Sequence, residues 1–502
     1  RQRYWGTPLP IWLCSEGHRV VVGSVRELID LGGERPKELH KPWIDKVVLK
    51  CPVCGKPMKR VPDVMDVWFD SGISFYAARA HPEKLNQNEA VLDFIVEGHD
   101  QIRGWFFSLL RAGVLGFDRA PYKAVLVHGF ALDEHGREMH KSLGNYVGTD
   151  EAIACVGRDP LRLWLLQNTV WEDLRFSWKN IEEVKRDLGI AWNVYVFAST
   201  YMNLDKFNPV KHDLSKYIEY LHDEDRWILS RVNSLAKDIT DALNKYYVHE
   251  AARKLRKFIV EDVSHWYIRL IRPRVWIEEN VPDKMAAYAT LYYVLKKWLV
   301  LASPFIPHVT EHIYQKFIRS AEKDLPPTIH LLEWPRIDKE FIDKKLEDDM
   351  EAIKEIYEAS AAARMKAGIK LRQPIRRVII YSDDKRILNV ANKYKDLITS
   401  LTNSREIEIR MPEEISDLIH YRVEPIYSVL GPEFKKLTGK IVEYINNNMN
   451  SVAKDLVTRG KHSFKINDLE IVIEKRHVKI IPVYAAGYAV QERKWGSIAI
   501  DT

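Results

Sequence analysis

Hydrophobic positions along the chain follow three successive rhythms. From residue 1 to about 180, short β-branched apolar runs alternate with helical patterns. Asp93–Val96 and Ala124–Val127 have the character of buried parallel strands, with Ile102–Gly116 as the helix between them. A βαβ unit of this kind belongs to nucleotide-binding folds, which take their ligand at the carboxyl ends of the strands. Glu97 and His128 stand at those ends. From 181 to 350 apolar residues recur at helical spacing through Arg226–Tyr246, Val248–Ile271 and Ala286–Ser303, and prolines interrupt the pattern at Ser303-Pro304-Phe305-Ile306-Pro307-His308. That is the pattern of an α-helical bundle. From 351 to 502 a long charged helix leads into strand-like runs at Arg377–Tyr381, Leu469–Ile473 and Val478–Pro482, which predicts a small α+β domain. The expected fold class is therefore multidomain, α/β followed by all-α, closing on α+β.

Length agrees with this division, since 502 residues at roughly 150 per domain give about three domains. Hydrophobic residues make up 46% and charged residues 29%, which excludes a disordered or fibrous chain. No apolar run approaches the roughly 20 residues of a membrane helix and no signal peptide opens the chain, so a cytoplasmic protein with no membrane partner is expected. The formal charge of +6 permits an RNA partner without requiring one, because a balanced total can conceal a basic face. The chain opens on Arg1 within a motif, so its start has the look of a cut.

Four cysteines occur. Cys14 and His18 form a short Cys-x3-His pair, and Cys51-Pro52-Val53-Cys54 a knuckle whose Gly55 permits the tight turn. Thiolate and imidazole suit a closed tetrahedral Zn2+ site, and a closed site is structural. Unliganded thiols in a loop without metal are the alternative. Cys155 lies in an apolar helical stretch and is expected in the core.

The most specific string is His128-Gly129-Phe130-Ala131-Leu132-Asp133-Glu134-His135-Gly136-Arg137-Glu138-Met139-His140-Lys141-Ser142-Leu143-Gly144-Asn145. It resembles the second ATP-binding signature of class I aminoacyl-tRNA synthetases. Arg1-Gln2-Arg3-Tyr4-Trp5-Gly6-Thr7-Pro8 resembles the segment that re-enters the catalytic domain after the editing domain in isoleucyl- and leucyl-type members. Asp66-Val67-Trp68-Phe69-Asp70-Ser71-Gly72 and Glu97-Gly98-His99-Asp100-Gln101-Ile102-Arg103-Gly104-Trp105 match the isoleucyl type. Ser264 to Trp276 and Ala302 to His308 are similar to the family's anticodon-binding bundle, and Ala363 to Pro374 to its junction into the C-terminal domain.

The resemblance implies a partial Rossmann-type catalytic domain over 1–180, with a zinc-binding insertion at about 12–62. An anticodon-binding bundle over 181–350 and a tRNA-contacting α+β domain over 351–502 follow. It implies ATP with Mg2+, L-isoleucine and tRNA(Ile) as partners, and a monomer. Glu97, Gly98, Asp100 and Gln101 would line the aminoacyl-adenylate with His128, since an ammonium and vicinal hydroxyls need fixed acceptors. Trp68 and Trp105, with Gln101, would wall the aliphatic pocket; for any one of fifteen tryptophans alone, ordinary packing is the default. Lys141, the catalytic lysine, and Ser142 would serve the ATP phosphates, where positive charge stabilises the transition state. Glu138 reverses the sign of the first signature lysine, and His140 offers weak compensation. Relatives often carry Cys-x2-Cys where Gly17 stands here, so His18 or Glu16 would complete the metal site. Arg269, Arg272 and Arg274 on the bundle, and Lys366 and Lys370 at the junction, are candidate tRNA contacts against the plainer reading of solvated helix faces. The first class I signature, of His-x-Gly-His type, is not found in this sequence, and neither is an editing domain. The reading is therefore an isoleucine–tRNA ligase represented by an incomplete chain, inactive alone. The competing readings are a non-catalytic tRNA-binding protein of synthetase descent and one half of a split enzyme.

Overall fold

The computed structural model describes residues 3–78, 91–411, 419–467 and 469–501; Arg1 and Gln2 of the opening motif lie outside the described residues. Two compact units are formed, one from 1–221 with 232–337 and the other from 222–231 with 338–502.

In the first unit, β1 (Ile11–Cys14), β2 (Arg19–Val21), β3 (Leu49–Lys50) and β4 (Pro57–Arg60) make an antiparallel sheet of order β2-β1-β4-β3. Alternation along β1 and β4 sends Trp12, Cys14, Met58 and Arg60 inward. Trp12, Leu28, Ile44, Leu49 and Met58 form a small core of their own. Trp12 Nε1 donates to the Val47 carbonyl at 2.9 Å, and Arg60 holds Asp45 and the carbonyls of Leu9 and Asp63.

Next come β5 (Leu92–Gly98) and β6 (Tyr122–His128), parallel and in register from Leu92 opposite Tyr122 to Gly98 opposite His128. The helix between them runs Trp105–Phe117, after a 3-10 turn at His99–Ile102. The βαβ unit expected from the apolar pattern is present, but its strands are not buried on both faces: Phe94, Val96 and Val125 are exposed. A parallel pair normally has both faces covered. Here the helix covers one, packing Phe106 and Leu109 against Ile95. The short β7 (Ala131–Leu132) then pairs in parallel with β8 (Leu174–Arg175).

The helices Trp178–Leu204, Asp223–Asn244, Val248–Lys257 and Pro282–Ala302 follow. The last buries most of its circumference, and Tyr195 and Trp298 donate to the carbonyls of Leu295 and Leu255. The helical stretch expected over Val248–Ile271 changes character midway, where Phe258–Tyr267 is π-helical before α geometry resumes at Ile268–Val275. Its sequence carries no signal for that widening.

In the second unit the helix Lys344–Lys366 leads to β9 (Ile375–Tyr381) and β10 (Ser404–Arg410), a parallel pair. β11 (Ile419–Pro425), β12 (Lys461–Ile466), β13 (Leu469–Glu474), β14 (Val478–Tyr484), β15 (Tyr488–Arg493) and β16 (Gly496–Asp501) complete it. One sheet has the order β10-β9-β16-β15, while β11 pairs with β14 and β12 with β13, both antiparallel. Buried Arg364 ties the helix to the segments that lead into β9 and β10 by donating to the carbonyls of Lys370, Gln373, Thr402 and Asn403.

Candidate functional site

Four side chains converge at one end of the β1–β4 sheet. Cys14 leaves the end of β1, His18 follows a turn that Gly17 makes possible at φ +80°, and Cys51 and Cys54 stand on the loop between β3 and β4. Cys14 Sγ lies 3.5 Å from His18 Nδ1 and 3.8 Å from Cys54 Sγ, and Cys51 Sγ lies 3.7 Å from the same Nδ1. One ligand atom from each residue fits within 4.8 Å of all the others. A tetrahedral Zn2+ with bonds of ~2.3 Å to sulfur and ~2.0–2.1 Å to nitrogen requires separations of roughly 3.8 Å between sulfurs and 3.5 Å from sulfur to nitrogen. The three distances from Cys14 to His18 and Cys54 and from Cys51 to His18 are close to those spacings. Burial acts to raise the Cys51 thiol, but the backbone N–H groups of Cys54 and Val53 outweigh it and bring the group down to about 6, favouring the thiolate a metal binds. Glu16, the other candidate for the fourth position, instead pairs with Lys56 across the sheet. Cys155 is exposed, not in the core: the helix Thr149–Val156 turns Ala152 and Val156 inward, and Cys155 falls off that face.

At the carboxyl ends of β5 and β6, Val67, Trp68, Ser71, Glu97, Gln101 and Trp105 line a cavity of about 500 Å3. Trp68 comes from a short helix capped by Asp66, and Trp105 opens the βαβ helix. Trp105 Nε1 donates to the Ser71 carbonyl at 3.0 Å, which ties the two helices together. Gln101 accepts from Trp105 N–H at 2.9 Å and donates to Asp100 at 2.8 Å, so its amide orientation is fixed. A Cβ at Gly104 would lie 2.7 Å from Gln101 and 3.0 Å from the Trp68 ring, so only glycine lets those two side chains meet there. His128 Nδ1 donates to the Gly129 carbonyl at 2.7 Å, which turns Nε2 towards Glu97, 3.9 Å away. Apolar walls with a carboxylate and an amide among them suit a small aliphatic ligand carrying a charged head; His128 stands behind Glu97, outside that lining.

The signature loop begins at β7. Asp133 and Arg137 close a turn, with Asp133 N–H donating to the Arg137 carbonyl at 2.8 Å, and Leu132 bridges to Glu138. The buried Asp133 carboxylate accepts from His135 N–H, Arg137 N–H, Arg137 Nε and Asn145 Nδ2, all at 2.8–3.0 Å. Asn145 also accepts from His140 N–H and donates to the Glu138 carbonyl, both at 3.0 Å. The Asn145 bond, with the Arg137 contacts, holds the Asp133 carboxyl well below the ordinary carboxylate range. Lys141 and Ser142 are exposed on the 3-10 turn Lys141–Leu143, which Gly144 ends in left-handed conformation, and the Lys141 ammonium lies 5.4 Å from the Tyr146 ring centroid. His140 Nε2 lies 3.2 Å from Glu138 Oε2, so the two substituted positions face each other. Sequence reasoning passed over Asp133 and Asn145, although both stand within the signature string.

On the bundle, Arg272 is exposed and rests 5.8 Å from the Trp276 ring, and Arg269 is half-buried. Arg274 corrects the sequence reading. It is buried, paired with Asp283 at 2.8 Å and bonded to the Asp283 carbonyl at 2.9 Å, so it braces the start of the helix Pro282–Ala302 and offers nothing to a phosphate. Lys366 and Lys370 are exposed, with Lys366 Nζ donating to the Val490 carbonyl at 3.0 Å. Among the described residues no helix is long and apolar enough to cross a membrane.

Comparison with known proteins adds two family models, "tRNA synthetases class I (I, L, M and V)" over residues 1–177 and "Anticodon-binding domain of tRNA ligase" over 225–380. Among curated proteins the chain is similar to the isoleucine–tRNA ligases of Saccharolobus islandicus (48% identity over 100% of this chain and 48% of the relative) and Saccharolobus solfataricus (48%, over 100% and 51%). That of Methanopyrus kandleri is 41% identical over 100% of this chain and 47% of its own. The chain thus spans about half the length of the curated relatives it matches. Among solved structures, a LeuRS-tRNA-LeuAMS ternary complex from Agrobacterium radiobacter K84 shares the fold over 68% of this chain and 42% of its own, with TM-score 0.50 and 19% identity.

Proposed function

The chain belongs to the class I tRNA synthetases as a homologue of isoleucine–tRNA ligases, and from that premise we propose that it supplies the second ATP-contacting half-site and the tRNA-reading part of such a ligase. In this reading β5, β6 and their helix are half of a Rossmann-type nucleotide-binding domain, β1–β4 are its zinc-stabilised insertion, the helices from Trp178 read the anticodon, and residues 351–502 contact tRNA. The observation that carries it is the cavity uniting Glu97, Gln101, Trp68 and Trp105.

The reaction joins the isoleucine carboxylate to the α-phosphorus of ATP with loss of pyrophosphate, then passes the aminoacyl group to the terminal adenosine of tRNA(Ile) with loss of AMP. Magnesium would accompany ATP and neutralise phosphate charge. Glu97 and Gln101 bind the ammonium and ribose hydroxyls, because charge-assisted hydrogen bonds to preoriented acceptors fix geometry as well as affinity. Trp68 and Trp105 enclose the side chain, and a rigid apolar slot separates isoleucine from valine by roughly 100-fold. Lys141 meets the charge that develops on the leaving phosphates. Cys14, His18, Cys51 and Cys54 would hold Zn2+ away from the reacting atoms, as support for the insertion.

The test is isoleucine-dependent pyrophosphate exchange by this chain joined to the remainder found in its relatives. Exchange that falls roughly 10²- to 10³-fold on Lys141→Ala and whose KM for isoleucine rises on Gln101→Ala supports the assignment. Equal exchange with a charged amino acid, or indifference to Lys141→Ala, contradicts it.

A further inference from the structure

The segment that follows the helix Arg158–Leu166 backs the signature along much of its length. Gly129 N–H donates to the Val170 carbonyl at 3.0 Å and Phe130 N–H to Asp173 Oδ1 at 2.8 Å, and β7 then pairs with β8. The backbones meet so closely that a Cβ on Gly129 would lie 2.3 Å from the Glu172 carbonyl oxygen. Arg175 rests against the turn at Gly136, where an added Cβ would lie 3.3 Å from its Nε. This backing segment is in turn fastened to the bundle. Arg253, on the helix Val248–Lys257, donates from Nε to the Gln167 carbonyl at 2.7 Å and from Nη2 to Thr169 Oγ1 at 3.4 Å, and Arg256 donates to Gln167 Oε1 at 2.9 Å. Trp171 stands edge-to-face against Tyr247 and His249, with ring centroids 5.8 and 5.0 Å apart. His249 is buried, and that burial, with the Arg253 charge, lowers its pKa, so a neutral imidazole meets the Trp171 ring.

The turn into that helix is strained. Tyr246 has φ +60°, where glycine or asparagine is usual, and its ring lies 5.3 Å from that of Phe94 on β5. Tyr247 N–H closes the turn on the Ala242 carbonyl at 2.8 Å. The turn therefore reaches from β5, which carries Glu97, to Trp171. The bonds of Asp133 fix the shape of the signature loop, whereas these contacts fix where the loop stands. Lys141 is exposed, and an exposed lysine is only as well placed as the backbone that carries it. Misplacing a reacting group by about 1 Å can cost on the order of 100-fold in rate. We propose that Trp171 and Arg253 are positioning residues for the ATP step, holding the segment 167–175 against the bundle and through it setting where Lys141 meets the phosphates. The walls of the amino-acid cavity come from other segments, 67–71 and 97–105, so this clamp acts on turnover and not on isoleucine binding. The proposal rests on the ligase reading and deepens it, since it makes the bundle part of the frame of the ATP site.

The test has two parts. On the chain as it stands, hydrogen exchange read by mass spectrometry should show protection over 128–146 falling roughly tenfold or more in Trp171→Ala and in Arg253→Ala, while protection over 92–117 holds. In the chain joined to the remainder found in its relatives, the same variants should lower kcat of isoleucine-dependent pyrophosphate exchange roughly 10- to 100-fold and leave the KM for isoleucine within about twofold. Trp171→Phe should restore most of the loss, because an edge-to-face contact survives. Tyr292→Phe, which removes a hydrogen bond to Glu322 elsewhere in the bundle, is the control and should alter neither measurement. Unchanged protection and kcat in both clamp variants overturn the proposal. An equal loss in Tyr292→Phe does so too, since it would mark a general loosening of the bundle, as does a fall in kcat/KM carried by the KM for isoleucine. If the joined protein exchanges no pyrophosphate, the ligase reading fails, and hydrogen exchange on the chain alone still decides the clamp: protection lost over 128–146 supports it, and protection kept there overturns it.

Discussion

Asp133 shows how much of a loop can hang on one carboxylate. It gathers two backbone N–H groups, the Arg137 side chain and Asn145, so the segment that presents Lys141 is organised by a residue that need not touch phosphate. Its pKa in the fold lies below the unfolded value, so its contribution is fully present above about pH 4 and is lost as pH falls through the depressed range. Protection of the His135 and Arg137 amides, measured by NMR as exchange relative to the intrinsic rate at each pH, should fall as pH drops into the depressed range, and in Asp133→Ala should already be lower at neutral pH by roughly tenfold or more. Protection unchanged in that variant would refute the assignment. The metal site gives a sharper residue-level outcome. His18→Ala should lose zinc and melt earlier, whereas Glu16→Gln should keep about one zinc per chain, read by elemental analysis and thermal unfolding. Here the sequence was legible to the ligand set: spacing nominated Cys14, Cys51 and Cys54, and left His18 and Glu16 to be separated by the ion pair between Glu16 and Lys56. Arg274 was misjudged because an arginine among aromatics has the same composition whether it faces RNA or a buried aspartate.

At the scale of elements, periodicity located the βαβ pair and the bundle helices, since each of those signals is local. It did not yield the π-helical stretch Phe258–Tyr267 or the exposure of Phe94, Val96 and Val125, which depend on what packs against an element. The motif Ser303 to His308 gained a role only in three dimensions. Asp159, buried in the helix Arg158–Leu166, accepts from Val309 N–H at 2.6 Å and His308 N–H at 3.4 Å at the start of Pro307–Ile313, while Arg162 donates to the carbonyls of Pro304 and Phe305. This seam joins the nucleotide-binding segment to the helical bundle within the first unit. Asp159→Ala leaves buried helix-terminal amides unpaired and should cost about 1–3 kcal/mol in chemical denaturation. A loss within ~0.5 kcal/mol would mean that the seam bears little of the unit's stability.

For the whole molecule, the family was legible because several motifs stand in the family's order along the chain, and the similarity to isoleucine–tRNA ligases extends over all of it. The division into compact units was less so: residues 222–231 join the second unit although they begin a helix that continues through the first, a boundary no local pattern marks. With a net charge of only +6, the proposed RNA binding would have to come from the placement of charge more than its sum. The proposed tRNA recognition is put to the test by binding of the purified chain to tRNA(Ile) and to a non-cognate tRNA across a salt series. Selective binding of tRNA(Ile) that weakens steeply as salt rises is expected. Equal affinity for both tRNAs, or no binding to either, would contradict it.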